Sequence, residues 1–185
     1  MAYAQPMNHL TPEEYLAWEI QQPEKHEYIR GEVFAMAGGE DRHQTAALNA
    51  AIMLRQHLAG TPCRVYMADV RLQTLETYLY PDVFVTCSSS DAQDRLVKRE
   101  AVLVIEVLSP STAAYDAGPK FAHYRTVASL REYVLVDLDR RSVDVFRKSS
   151  DGLWVLHPFE AQDTLELASV GLRCAVADVF ADLEA

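Results

Sequence analysis

Apolar positions along this chain follow two periods, and each change of period marks an element. Segment 10–20, LTPEEYLAWEI, opens with a full set of helix-start signals. Thr11 suits the N-cap, Pro12 the first helical position, and Glu14 closes a capping box. Leu10 and Tyr15 have the spacing of a hydrophobic staple. EYIRGEVFAM at 27–36 reads as two short strands around Arg30-Gly31, and Gly38-Gly39 ends the pattern. A helix capped by Asp41 is expected over 42–58, with Ala47, Ala50, Leu54 and Leu58 on one stripe. From Cys63 onward the period falls to two, which predicts strands at 64–67, 69–74, 82–86 and 101–108. Behind Gly118-Pro119 a helix is expected over 119–127, followed by strands at 132–137, 142–147 and 153–159. A last helix at about 175–183 should bury Val176, Val179, Phe180 and Leu183. Strands 82–86, 102–108 and 133–137 are apolar on both faces, so they should be central and covered on both sides. The order predicts one mixed α/β (α+β) domain over 1–185 with one central sheet.

Composition supports that outline. The 185 residues suit one domain, and 49% apolar with 24% charged residues is ordinary globular usage. Such a chain should bury roughly 70% of its unfolded surface without staples. The net charge of −10 argues against a protein held to nucleic acid by bulk positive charge. Cys63, Cys87 and Cys174 are widely spaced, odd in number and form no CxxC pair. They are expected as buried small residues in a reducing compartment, neither a disulfide frame nor a zinc site. The longest uncharged apolar run, AVLVI at 101–105, is far short of the roughly 20 residues of a membrane helix. No signal peptide opens the chain, so a soluble cytoplasmic protein with no membrane partner is expected.

Three polar residues break the apolar pattern. Glu106 stands inside VLVIEVL on the strand face of Val104 and Leu108, where an unpaired carboxylate is costly. Pairing with an arginine such as Arg71 would make it purely structural. Asp82 opens the strand after Pro81, a place where a lone aspartate is usually a cap. Together, two acids on neighbouring central strands followed by Ser109-Pro110-Ser111 describe an oxygen-ligand site for a divalent cation. Lys120, one of only four lysines, lies at a predicted helix N-terminus, where it opposes the macrodipole. It could answer the acidic pair, although position alone favours water. Glu32 begins the second arm of the hairpin. His43 lies on the stripe 43–47–50–54, where a core role is the commoner one.

These pieces, in order, are LTPEEYLAWE, HEYIRGEVFAMAGGEDRHQ, PCRVYMADVRL, YPDVFVTC, VLVIEVLSPSTAAYD, KFAHYRTVASLREYVLVD, VDVFRK and VADVF. The ordered set resembles the Uma-two family of restriction endonucleases, within the PD-(D/E)XK nuclease superfamily. The resemblance implies a restriction-endonuclease-like fold: a central mixed β-sheet flanked by helices, with an N-terminal helix and β-hairpin. It also implies a Mg2+-dependent phosphodiesterase, with Mn2+ able to substitute. Carried over, Asp82 matches the aspartate of the PD motif and Glu106 the second acid. The superfamily's usual lysine position is Leu108 here, and Lys120 from the following helix matches its replacement. Glu32 matches an additional site acid, and His43 an accessory histidine. The family's DRGxK-like run reads DAGPK at 116–120, so Ala117 stands where an arginine is typical.

The mechanism so implied is hydrolysis of DNA phosphodiester bonds, with Asp82, Glu106 and the Val107 carbonyl as metal ligands and Lys120 and Glu32 completing the catalytic set. Ala117 and Leu108 leave an alternative open: a catalytically weak or inactive nuclease-fold module that binds or regulates. A metal-dependent hydrolase of some other substrate is a third reading. Candidate phosphate contacts are Arg95, Lys98 and Arg99 in one loop and Arg140, Arg141, Arg147 and Lys148 across one hairpin. Exposed edge strands make a homodimer an expectation too.

Overall fold

Val, Ile, Leu and aromatic residues fill the strands, and small alanines fill the helix that lies on them. The computed structural model describes residues 9–36 and 38–183. In chain order the elements are α1 (Pro12–Glu19), β1 (His26–Ile29), β2 (Glu32–Ala35), α2 (Asp41–His57), β3 (Arg64–Met67), β4 (Arg71–Gln73), β5 (Thr77–Leu79), β6 (Val83–Thr86), β7 (Val97–Lys98) and β8 (Ala101–Leu108). Then come α3 (Ala113–Tyr115), a π-helical turn (Asp116–Lys120), α4 (Phe121–Tyr124), β9 (Glu132–Asp137), β10 (Ser142–Lys148), β11 (Trp154–Phe159), β12 (Thr164–Leu167), β13 (Leu172–Ala175) and α5 (Val176–Val179).

The strands form more than the one expected sheet. Six of them run in the order β11-β10-β9-β8-β6-β3, with β8 and β9 parallel and the other pairs antiparallel. The N-terminal hairpin β1-β2 extends into a second sheet, β2-β1-β5-β4-β7, and β12-β13 is a separate hairpin. Strands β6, β8 and β9 are central, as their two-sided apolar character predicts. One face of the six-stranded sheet carries Val83, Val85, Ile105, Val107, Val134 and Val136, which pack on Ala47, Ala50 and Leu54 of α2. The small alanines let the helix lie close. On the other face Phe84, Val104, Tyr133 and Leu135 pack against Phe121 and Tyr124 and against Leu72 and Leu79 of the second sheet. The fold therefore buries both sides of β8.

The capping box forms as expected: Glu14 N–H donates to Thr11 Oγ1, and Thr11 N–H to Glu14 Oε2. Other boundaries differ. Glu40 precedes α2 as its N-cap, and Asp41 is its first residue. The expected helix over 119–127 is instead α3, a π turn and α4 in succession, with Pro119 inside it. Of the expected helix at 175–183 only Val176–Val179 is helical, and β13 precedes it. No helix among the described residues is long and apolar enough to cross a membrane.

The cysteines depart from expectation as well. Cys63 and Cys87 form a disulfide, and Cys174 is free. The pair Arg64–Thr86 closes the β3–β6 ladder, so the next residues outward on each strand are these two cysteines, brought face to face by register. The argument from unpaired cysteines to a reducing compartment falls with this pairing.

Candidate active site

Asp82 and Glu106 meet because of strand register. Val83 pairs with Ile105, so Asp82, one residue before, stands opposite Glu106. Pro81 precedes it without an N–H, a loss tolerated at a strand mouth. Asp82 Oδ2 accepts the Val107 N–H at 2.7 Å, and the Asp82 N–H donates to Glu106 Oε2 at 3.4 Å. The two acids are tied through backbone, which fixes their separation more firmly than side-chain packing would.

Lys120 is the third member, and the structure overturns the expectation that it points to water. Only 7% exposed, its Nζ lies 2.9 Å from Glu106 Oε1, 3.5 Å from Glu27 Oε1 and 3.6 Å from Asp116 Oδ1. The π turn makes this possible. Pro119 supplies no N–H to this turn, and the Asp116 carbonyl accepts from the Tyr133 hydroxyl at 2.9 Å. Tyr124, one turn beyond Lys120, donates its hydroxyl to Glu106 Oε1 at 2.8 Å.

The electrostatics are those of crowded acids around one cation. Burial pushes the Glu106 carboxyl well above the usual range; Asp82 and Asp116 add to the rise and Lys120 opposes it. Asp116 is raised by burial against the pull of Lys120. Burial disfavours the Lys120 charge, yet Glu106, Glu27, Asp116 and Asp82 outweigh it and hold the ammonium well above its ordinary pKa. His43 stands at the rim with Nε2 3.2 Å from Asp82 Oδ2, and this hydrogen bond raises the imidazole pKa despite partial burial. In an extended strand the N–H and C=O of one residue point to the same edge, so the Val107 carbonyl lies on the side of Asp82, which its N–H already reaches.

Of the residues singled out from the sequence, Asp82, Glu106, Val107, Lys120 and His43 come together. Glu32 does not. It is exposed on β2, paired across the hairpin with Ile29, and its side chain makes no hydrogen bond or ion pair among the described residues. Glu27 shares its hairpin face and reaches Lys120 instead. Arg71 does not pair with Glu106; its guanidinium lies over the Tyr15 and Tyr80 rings at 6.0 and 5.9 Å. Leu108, on the strand face of Glu106, packs into the aromatic core, so the position where the superfamily has lysine is filled by an apolar side chain. Ala117 is exposed on the π turn. Sequence reasoning missed Glu27, Asp116 and Tyr124. The last two carry a signal, since they lie four residues before and after Lys120. Among the phosphate-contact candidates, Lys98 is buried with its Nζ on the Asp91 carbonyl, and Arg147 is bound to Glu132.

The donor set can be tested against a divalent cation. Among the described residues no three His, Cys, Asp or Glu side chains form a ready-made metal cage. Mg2+ needs less, since it usually takes one or two carboxylates and keeps several waters. Asp82 and Glu106 are two hard carboxylates, the Val107 carbonyl faces them, and Asp82 Oδ1 is engaged by no described residue. Those residues fit Mg2+.

Comparison with known proteins bears on the family and the fold. Residues 12–177 match the family model described as "Uma2: Putative restriction endonuclease". The chain is 40% identical over 180 residues to "Uncharacterized protein slr1290" of Synechocystis sp., covering 96% of this chain and 95% of that one. It is 34% identical over 151 residues to "Uncharacterized protein sll1609" of the same organism, covering 80% and 85%. A crystal structure from Anabaena variabilis, described as "a putative nuclease belonging to DUF820", superposes with a TM-score of 0.78 at 19% identity, covering 95% of this chain and 99% of that one. The fold is thus α+β and restriction-endonuclease-like, and the chain belongs to the Uma2 family.

Proposed function

We propose that the domain is a Mg2+-dependent endonuclease that hydrolyses DNA phosphodiester bonds. The observation that carries this reading is the meeting of Asp82 and Glu106 across β6 and β8, with Lys120 Nζ 2.9 Å from Glu106. Mg2+, or Mn2+ in its place, held by Asp82, Glu106 and the Val107 carbonyl, would supply Lewis-acid polarisation of the scissile phosphate and activation of water. The residues themselves do the rest. Val107 N–H and His43 hold the Asp82 carboxylate in one orientation, and Tyr124 holds Glu106. Lys120 places a fixed ammonium beside the acids, where it offsets charge developing on the phosphoryl oxygens. Glu27 takes the role of additional acid expected of Glu32, fixing Lys120 from the second sheet. Acid excess around one lysine repels a phosphodiester until a dication offsets it, so DNA binding should be metal-dependent and salt-sensitive.

The test is cleavage of single-stranded, double-stranded and branched DNA while Mg2+ or Mn2+ is titrated. The wild type is expected to cut only with metal, and Asp82→Asn and Glu106→Gln to lose about 100-fold or more of that activity. Cleavage that survives both substitutions would end the mechanism. One observation favours a second reading, a nuclease fold kept for binding: Lys120 is already held by three carboxylates, and Leu108 supplies no second cation. Calorimetric Mg2+ binding without cleavage of any DNA form would select it.

A further inference from the structure

Strand β11 ends the six-stranded sheet on one side and pairs only with β10. Which of its backbone groups face outward follows from the hairpin. The Ser149 N–H donates to the Leu153 carbonyl at 2.8 Å, whereas the Lys148 N–H turns the other way, to the Arg131 carbonyl at 2.8 Å. By alternation Val155, His157 and Phe159 bond to β10, opposite Arg147, Val145 and Val143. Trp154 and Leu156 then point their N–H and C=O groups out of the sheet. Pro158, which has no N–H to give, falls in the same outward phase. No described residue takes up those outward groups, so the edge is a template for another strand. Its side chains are apolar and open to solvent on both faces: Leu153 is 63% exposed and Val155 45% on one, Leu156 46% on the other. Residues 153–159 include no Asp, Glu, Lys or Arg, in a chain of net charge −10.

We propose that β11 is a homodimer interface, where β11 of a second copy pairs antiparallel about a two-fold axis through Val155. The outward pattern is its own complement, which selects a second copy as the occupant. Trp154 and Leu156 flank the axis by one residue each, so Trp154 of one copy faces Leu156 of the other, and four N–H to C=O bonds form. Pro158 falls opposite Gly152 in the turn, where its missing N–H is not needed. Val155 meets Val155 on one face, and Leu156 meets Trp154 on the other. Charge agrees with this choice. Two chains of net charge −10 repel, and here they meet along a segment with no acid, lysine or arginine to stand opposite its like. The inference is separate from the nuclease reading, because Asp82, Glu106 and Lys120 meet within one chain and β8 lies three strands from β11.

The experiment uses the full chain and reads its mass by sedimentation. One added strand pair is a small interface, so a dimer of the 20.8 kDa chain is expected at about 100 µM and a monomer at about 1 µM. Val155→Lys places two ammonium groups across the axis from an exposed position, and it should be monomeric at both concentrations. Crosslinking measures the register independently. Residues facing each other in a pair without hydrogen bonds have Cα atoms about 4.5 Å apart, within disulfide reach. Val155→Cys in a Cys174→Ser background should therefore link two chains covalently on mild oxidation. Leu156→Cys in the same background should not, since its counterpart is offset by two residues and lies beyond about 7 Å. A wild type monomeric at the higher concentration overturns the interface. So does a dimer that survives Val155→Lys, a Val155→Cys chain that forms no link, or a link from Leu156→Cys. None of these outcomes uses DNA or metal, so the nuclease reading stands or falls by its own test.

Discussion

Two buried glutamates sit on neighbouring parallel strands of the same sheet, and they live in opposite company. Glu132, on β9, is fully buried; its Oε1 accepts from Arg147 Nε at 2.8 Å and Ala168 N–H at 3.1 Å, and its Oε2 from Ser169 N–H at 2.8 Å. One cation serves that carboxylate, and the backbone of the segment after β12 supplies the rest. Glu106, on β8 and 2% exposed, shares its single lysine with Glu27 and Asp116 and faces Asp82 besides. The first arrangement closes a structure: every acceptor is matched, and a strand is stitched to a distant loop. The second leaves negative charge in excess around one lysine, which is unfavourable for a fold and useful for holding a dication. Burial alone therefore does not mark a functional acid. The ratio of acids to donors does.

The contrast can be broken most forcefully at Glu132. Glu132→Gln keeps the shape but leaves Arg147 without its carboxylate and one backbone N–H short of an acceptor, a cost of about 2–3 kcal/mol. That corresponds to a Tm lower by roughly 4–12 °C in a domain of this size. Activity per folded molecule should be unchanged. A variant as stable as wild type in a denaturant titration would mean that the three hydrogen bonds at Glu132 are not what holds β9 to the loop. Next in size is the response to metal. Mg2+ at ten times its dissociation constant should stabilise the native state by about 1.4 kcal/mol, or roughly 3–6 °C in Tm. Asp82→Asn should abolish that shift, and Glu132→Gln should keep it in full. A shift of equal size in all three proteins would place the ion elsewhere.

Much of this contrast was legible in the chain, though unevenly. Strands β3, β8 and β9 follow their sequence patterns to the residue, because alternation and apolar runs are local signals. Strands β5 and β7, three and two residues long, are too short to show a period, and β12 and β13 pair only with each other, outside the two larger sheets. Pro119 reads as a helix start, since proline costs least there; tertiary demand put it inside a π turn, so that Lys120 could reach Glu106. Asp82 and Glu106 stood out as polar groups in apolar strands. Glu132 escaped notice because an acid that opens a strand looks like a cap, and only the fold brings Arg147 and residues 168–169 to it. Glu27 and Glu32 share one face of the hairpin, and nothing local says which of them meets a lysine far along the chain. The disulfide was hidden for the same reason: 24 residues separate Cys63 from Cys87, and strand register joins them.

The smallest expected effect is also the sharpest. Glu106→Gln makes the same chemical change as Glu132→Gln, one strand away and at similar burial. Its stability cost should nevertheless lie within about 0.5 kcal/mol of zero, or be a gain. The substitution removes a negative charge from between Asp82 and Asp116, whose presence already raises the Glu106 pKa on top of the larger effect of burial. The new amide oxygen can still accept from Lys120 and from Tyr124, Lys120 keeps Glu27 and Asp116 as partners, and only the long 3.4 Å bond from the Asp82 N–H loses its acceptor. Denaturant unfolding of both variants side by side in a chelator, so that metal binding contributes nothing, measures the difference directly. If Glu106→Gln loses as much stability as Glu132→Gln, the two glutamates are alike, and the acid excess around Lys120 has no energetic meaning. If it loses none, the fold has been carrying at Glu106 a charge it does not need for its own stability.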